Sequence, residues 1–350
     1  MIDLIFNFYH LFVESAPFLL LGMFVAGVIN QLIPKKWIEK TLGSNNSRSS
    51  RSIINAAFIG APIPLCSCSV IPVAISIRRS GASKASTASF LVSTPETGVD
   101  SIGITYALLG PIMAVVRPIC AVISAIVTGF MVLLFSDNAQ YKSTEHEGSK
   151  FAHSCCSKKH KTQISLLSKV KTVFSYGYST LLKDFMKWLL IGLFFAALIQ
   201  TYVPATYLTQ YGQGLFAMML IVIVSIPMYI CATASTPIAA GLLLSGISPG
   251  AALVFMLTGP ATNIATLMVI KNELGKKELM IYLVSVILSA LVCGLAVDGL
   301  FAYFNWELDI SLGGHHQMVG VLYQICAVIL AGLIGWQVYK MIRSKLTVSL

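Results

Sequence analysis

The chain has 350 residues, of which 56% are hydrophobic and 11% charged, with a formal net charge of +10. Soluble domains carry about 25% charged residues, so this composition, with a mean hydropathy of +0.80, excludes a soluble enzyme, a disordered chain and a coiled coil. The basic excess does not call for nucleic acid, because its lysines and arginines sit between apolar runs, where they set membrane topology.

Residues Met1 to Tyr9 lack a basic n-region and a small-residue cleavage site, so no removable signal peptide is expected. Apolar segments follow near 12–33, 53–77, 85–109, 112–135, 184–203, 214–245, 249–270, 279–304 and 318–339. Most are roughly 17–28 residues, enough to cross a bilayer core of about 30 Å. The expected fold is an all-α polytopic membrane protein. Its expected parts are a first transmembrane repeat (1–135), a polar linker (136–180), a second repeat (181–304) and an outer loop with a final helix (305–350).

The two halves resemble each other. Gly22 to Pro34 matches Gly192 to Pro204 at an offset of 170. At an offset of 165, Pro62 pairs with Pro227, Cys66 with Cys231, Pro72 with Pro237, Ser80-Gly81 with Ser245-Gly246, Phe90 with Phe255, Pro95 with Pro260 and Thr97 with Thr262. Generic apolar helices do not share prolines, a cysteine and a Ser-Gly pair by chance, so the repeat is an internal duplication.

Charge gives its orientation. If all nine segments cross, basic residues divide about evenly between the two sides, against the positive-inside rule. If 53–77 and 214–245 instead turn back as re-entrant hairpins, Lys35–Arg51, Arg78–Lys84, Lys142–Lys187, Lys271–Lys277 and Lys340–Lys345 all become cytoplasmic and only Arg117 lies outside. The expectation is therefore two inverted repeats with about seven crossings and two hairpins; the alternative is eight to ten plain transmembrane helices. Proline removes a backbone donor, and unwound backbone at membrane depth survives only inside protein or against a wet cavity. Pro62, Pro64, Pro72, Pro95, Pro227, Pro237 and Pro260 are read as helix breaks. Such breaks at an inverted-repeat interface mark the substrate site of many secondary transporters.

Between the prolines stand Cys66-Ser-Cys68 and Cys231. Thiolates select Cu(I), Zn(II) and thiophilic metalloids, so these three sulfurs, with Met228 adding a thioether, are the candidate midplane site for a soft ion. In the linker, His153, Cys155, Cys156 and His160 form a candidate cytoplasmic capture site whose spacing matches no structural zinc module. At the head of the last segment, His315, His316 and Met318 are candidate exit ligands, after a loop holding Glu307 and Asp309. Ionisable residues within spans are functional candidates by default. Glu96 is a candidate proton carrier, with Asp100 one turn on and Thr97, Thr262 and Asn263 as polar partners. Asp298 is expected to reach water, and Arg78, Arg79 and Lys84 to anchor at the interface. Cys120, Cys293 and Cys326 stand singly in apolar runs as packing residues, and no disulfide framework is expected. No Walker A sequence, Ser/His/Asp set or HExxH is present, so no enzyme activity and no bound cofactor are expected, and an ion or substrate gradient supplies the energy.

Pro62-Ile-Pro-Leu-Cys-Ser-Cys-Ser-Val-Ile-Pro72, Ser80-Gly81-Ala-Ser and Ser93-Thr-Pro-Glu-Thr97 resemble the predicted-permease family that includes the organoarsenical efflux permease ArsP. The likeness covers about residues 12–304. Cys66 and Cys68 fall on the family motif, and the His/Cys loop with the His315-His316 pair resembles its bacterial copper/zinc efflux branch. The resemblance implies an inner-membrane permease. The leading reading is secondary efflux of a soft metal or metalloid by alternating access, with the bilayer and a cytoplasmic metal donor as partners. One alternative is a permease for organoarsenicals or other small organic solutes. Another, of a different class, is a membrane thiol oxidoreductase.

Overall fold

The computed structural model describes residues 2–32, 35–43, 49–136, 214–226, 230–304 and 321–346, together with 178, 182, 190 and 194. The described elements are all helical: α1 (Ile2–Leu32), α2 (Lys35–Leu42), α3 (Ser49–Gly60), α4 (Ser67–Arg79), α5 (Lys84–Glu96), α6 (Val99–Phe135), α7 (Leu215–Ser225), α8 (Ala232–Leu244), α9 (Pro249–Ala261), α10 (Ile264–Glu273), α11 (Lys276–Phe304) and α12 (Val321–Leu346). Among them, Leu4–Ile29, α6 and α11 are each long and apolar enough to cross a membrane, and α9 with α10, bent by 51°, makes a fourth span. The protein is a multi-pass membrane protein. Segment 184–203 falls almost wholly outside the described residues.

The duplication is longer in space than in sequence. At the same offset of 165, α4 and α8 begin and end at equivalent residues, as do α5 and α9. Their caps agree as well. Cys66 and Cys231 are extended N-caps (φ −72°, ψ 169° and φ −81°, ψ 163°). Ser83 and Ser248 each accept a backbone N–H three residues on, a standard way to satisfy a free helix-terminal donor. Gly110 and Gly275, a further repeat pair, both take positive φ (80° and 126°), which a side chain would resist. At Gly110 the chain reverses within α6. The Arg117 guanidinium donates to Thr105 Oγ1 at 2.7 Å, although twelve residues of straight helix would part them by about 18 Å.

The repeats are inverted. Ser124 and Ser289 occupy equivalent positions and hydrogen-bond to each other at 2.7 Å. A residue can touch its own counterpart only on the axis relating the two copies. Around that contact α6 and α11 run antiparallel, since Cys120 meets Cys293 on one side and Ser136 donates to Glu278 on the other. An axis that makes equivalent spanning helices antiparallel lies in the membrane plane.

The first hairpin enters and leaves on one side. Asn55 Nδ2 donates to Thr41 O at 3.4 Å, while Ser83 N and Ser86 Oγ donate to Leu42 O, so the end of α2 meets both α3 and the start of α5, where the chain has just left α4. Helices α3 and α5 then run parallel, with Ser89 Oγ on Ile53 O and Thr97 Oγ1 on Ala61 O. At 12 and 13 residues, about 18 and 20 Å, α3 and α4 each stop short of a full crossing. Helices α7 and α8 repeat this unit at the opposite rim, where Asp298 near the end of α11 accepts from Ser248 Oγ (2.8 Å) and Gly250 N (2.6 Å). Asp298 is thus the cap of α9 rather than a residue merely reaching water, as a carboxylate at a helix N-terminus favours.

Four of the expected proline breaks are corrected. Pro72 and Pro237 sit inside α4 and α8, and Pro95 and Pro260 inside the last turns of α5 and α9. The helices continue through these prolines although each removes a backbone donor, as buried helices in a membrane tolerate. The breaks fall just after, at 97–98 and 262–263, and at the 61–66 tip that holds Pro62 and Pro64. Pro227 lies outside the described residues.

Candidate functional site

Two apolar cores divide the molecule. One gathers α1 to α5 with the facing parts of α10, α11 and α12, and the other gathers α7, α8 and α9 with the middle of α6 and the end of α11. Between them lies a buried polar layer holding Glu96, Thr105, Arg117, Ser124, Thr236 and Ser289.

The cysteine N-caps belong to opposite repeats, and Cys231 neighbours Arg117 in this layer. Cys66 is half-buried with its thiol 3.3 Å from Ser69 Oγ, and it also interacts with the Cys68 thiol. Cys231 is half-buried, with its thiol 3.0 Å from Thr233 Oγ1. The three-sulfur cluster expected from the sequence is not assembled: among the described residues, no three His, Cys, Asp or Glu side chains converge to hold a metal ion. The reason is positional. Cys66 and Cys231 cap different helices in different repeats, and each thiol is engaged by its own first turn. Met228, His153, Cys155, Cys156, His160, His315, His316 and Met318 lie outside the described residues.

Glu96 is fully buried at the end of α5, and neither carboxyl oxygen has a hydrogen-bond partner. Arg117 is its cationic neighbour, and the Cys293 thiol also lies nearby. The other polar candidates serve the helix ends. Thr97 and Thr262 hydroxyls donate to Ser93 O and Thr258 O, and the Asn263 side chain accepts from Thr266 N as the cap of α10. Asp100 is exposed at the start of α6.

Arg117 is the largest correction. Charge counting places it outside, yet it is fully buried. Its guanidinium donates to Thr105 Oγ1 in its own repeat and to Thr236 Oγ1 (2.9 Å) and Ala232 O (3.0 Å) on the first turn of α8 in the other. Cys231, the residue before that turn, is among its electrostatic neighbours. An arginine inside an apolar run was the available signal; treating it as a topological marker hid it. Its repeat counterpart, Tyr282, is also fully buried and donates to Ala261 O at 2.9 Å within its own repeat.

Arg78, Arg79 and Lys84 do more than anchor the interface. Arg78 is buried and donates to Ala82 O. Arg79 and Lys84 pair with Glu273 (2.6 Å) and Glu278 (2.5 Å) of the second repeat.

This arrangement suits passage rather than turnover: a duplicated core of short broken helices, a buried arginine that bridges the repeats beside a buried carboxyl group, and ion pairs at one rim. A family model described as a predicted permease matches residues 4–299. The chain belongs to the predicted-permease family. Among curated relatives, this permease is 25% identical to UPF0718 protein MJ0584 of Methanocaldococcus jannaschii, over 79% of this chain and 89% of that protein. It is 26% identical to a putative two-component membrane permease complex subunit of Streptococcus mutans, over 78% and 87%. It is 23% identical to UPF0718 protein YcgR of Bacillus subtilis, over 83% and 96%. No solved structure matches significantly. The family is one of permeases and not of enzymes.

Proposed function

We propose that this permease exports a soft metal or metalloid, a copper, zinc or arsenic species, across a bacterial inner membrane by alternating access of its two inverted repeats. The observation that carries the reading is the matched pair of half-buried cysteine N-caps, Cys66 and Cys231, on opposite sides of the interface. Thiolates at such positions prefer soft ions, and the positive end of a helix favours a negatively charged ligand group beside it. The rim holding Arg79, Lys84 and Lys276 faces the cytoplasm by the positive-inside rule. On this reading the segment with His153, Cys155, Cys156 and His160 gathers the ion on that side from a cytoplasmic donor, and His315, His316 and Met318 receive it on the other.

One observation favours the alternative cargo. Cys66 and Cys68 interact with each other, and no third ligand joins them among the described residues. Two thiolates complete the coordination of a trivalent monomethyl arsenical, whose third bond is to carbon, so an organoarsenical fits this site without Cys231.

Uptake into inside-out vesicles separates the cargoes, using Cu(I), Zn(II), arsenite and methylarsenite with and without a pH gradient. Cys66→Ser and Cys68→Ser are each expected to abolish uptake of the exported species. Full uptake by both variants overturns thiolate ligation. Loss on Cys231→Ser as well points to an ion bound from both repeats, and retention points to the two-thiolate organoarsenical.

A further inference from the structure

The interface is fastened differently from its two sides. Arg117 reaches out of the first repeat to grip the first turn of α8, through Thr236 Oγ1 and Ala232 O. Among the described residues, the hydroxyl of Tyr282, its counterpart, reaches no element of the first repeat and bonds Ala261 O in its own. One guanidinium therefore bridges the repeats at the residue following Cys231.

Beside it lies a carboxyl group with nothing to hold. Both Glu96 oxygens are buried and unpartnered, and no ion pair joins Glu96 to Arg117. A neutral carboxyl tolerates such a place far better than an ionised one, since a buried charge without donors is strongly disfavoured. The groups facing Glu96 are Arg117 and Cys120 from α6, and Tyr282 and Cys293 from α11. Helix α9 carries no titratable side chain. Those of α3 and α4 are Cys68, at the start of α4, and Arg51, Arg78 and Arg79, of which the arginines lie toward the basic rim. Arg117 is thus the one cation facing an ionised Glu96 among the described residues.

We propose that Arg117 is a proton-operated pin between the repeats. When Glu96 gives up its proton to water, the guanidinium turns from Thr236 and Ala232 O to the carboxylate and releases the first turn of α8. When Glu96 takes a proton from water, Arg117 returns and fastens that turn again. Arg117 acts here as a positioning residue, coupling protonation of one repeat to the Cys231 end of the other. The proposal rests on the alternating-access reading and supplies the step that links proton movement to it.

Backbone hydrogen exchange tests it on the full chain in lipid nanodiscs without cargo, read on peptides covering residues 230–238. After correction for the intrinsic pH dependence of exchange, wild-type protection of these amides is expected to fall about tenfold as pH rises through the Glu96 titration, as loss of charge-assisted hydrogen bonds implies. Glu96→Gln is expected to stay protected at every pH. Arg117→Lys, whose single ammonium cannot span the same acceptors, is expected to exchange fast at every pH. Flat wild-type protection, or a Glu96→Gln profile that follows the wild type, overturns the pin. The wild-type arm needs no variant to fold. Because no metal or arsenical is present, loss of soft-ion transport in vesicles would overturn the cargo assignment and leave this result standing.

Discussion

Arg79 and Glu273 meet at 2.6 Å across the boundary between the repeats, and their counterparts on the opposite rim are two leucines, Leu244 and Leu108. The neighbouring pair repeats the contrast. Lys84 meets Glu278, while the counterparts are Pro249 and Met113. Ion pairs therefore join the repeats at one rim, and the equivalent positions at the other carry no charge.

The ion pairs should govern how readily the basic rim opens. Glu273→Arg sets like charges side by side, and Arg79→Glu with Glu273→Arg restores the attraction in reverse. Partly exposed pairs contribute about 0.2–1 kcal/mol each, so the single change is expected to raise reactivity of a reporter cysteine at the basic rim about two- to fivefold. The double change should return it to the wild-type level, and high salt should flatten the whole series. Equal reactivity in the single and double variants would show that these pairs do not close the rim.

Close packing of α9 on α11 depends on two glycines. A Cβ at Gly250 would stand 2.1 Å from Gly294 O and 2.8 Å from Asp298 Oδ1, so Gly250→Ala must part the helices and disturb the α9 cap. Overpacking of this kind costs about 1–3 kcal/mol. Thermal unfolding in detergent should show a clear drop for Gly250→Ala and little change for Gly241→Ala, where a Cβ meets nothing within 4 Å.

The two-fold contact is open to direct trapping. Ser124→Cys with Ser289→Cys should form a disulfide under oxidation, since the parent hydroxyls lie 2.7 Å apart. If the chain is cut between residues 137 and 177 and its halves co-expressed, that bond should join them into one band. Ser124→Ala with Ser289→Ala should remain folded, because a hydrogen bond between membrane helices averages about 0.6 kcal/mol.

Orientation can be read by labelling. With a membrane-impermeant thiol reagent outside the cell, a cysteine at Ser245, on the rim of α8 and Asp298, should react. A cysteine at Lys276, on the rim of Arg79 and Lys84, should not. The opposite pattern would reverse the direction of export.

The inverted duplication was readable because its marks are rare residues at fixed spacing: Pro62 and Pro227, Cys66 and Cys231, Ser80-Gly81 and Ser245-Gly246. Beyond Thr97 and Thr262 the likeness thins to short matches, Leu109-Gly110 with Leu274-Gly275 and Ser124-Ala125 with Ser289-Ala290, too brief to stand out within apolar runs, but the backbone keeps it: Gly110 and Gly275 both take positive φ and Ser124 meets Ser289. The prolines are poor guides to the breaks because Pro72 and Pro237 reveal a missing donor but not the burial that lets the helix run through it. Arg117 escaped because its partners, Ala232 and Thr236, lie 115 and 119 residues away, where no local pattern connects them. The sulfurs were visible as types and spacing, but which of them approach one another is decided by the axis between the repeats.

That axis has a consequence for energetics. Two identical repeats related by an in-plane two-fold would give two symmetry-related basins of equal depth, each the other with the roles of the halves exchanged, open to either side with the same affinity. Every place where the halves differ tilts this balance: Glu96 against Ala261, Arg117 against Tyr282, Arg79 against Leu244, Lys84 against Pro249. Which side the resting molecule faces is then a property written in a handful of mismatched positions rather than in the shared framework, while the gradients alone set the net direction of flow; restoring symmetry at those positions one by one should bring the two facing states toward equal occupancy.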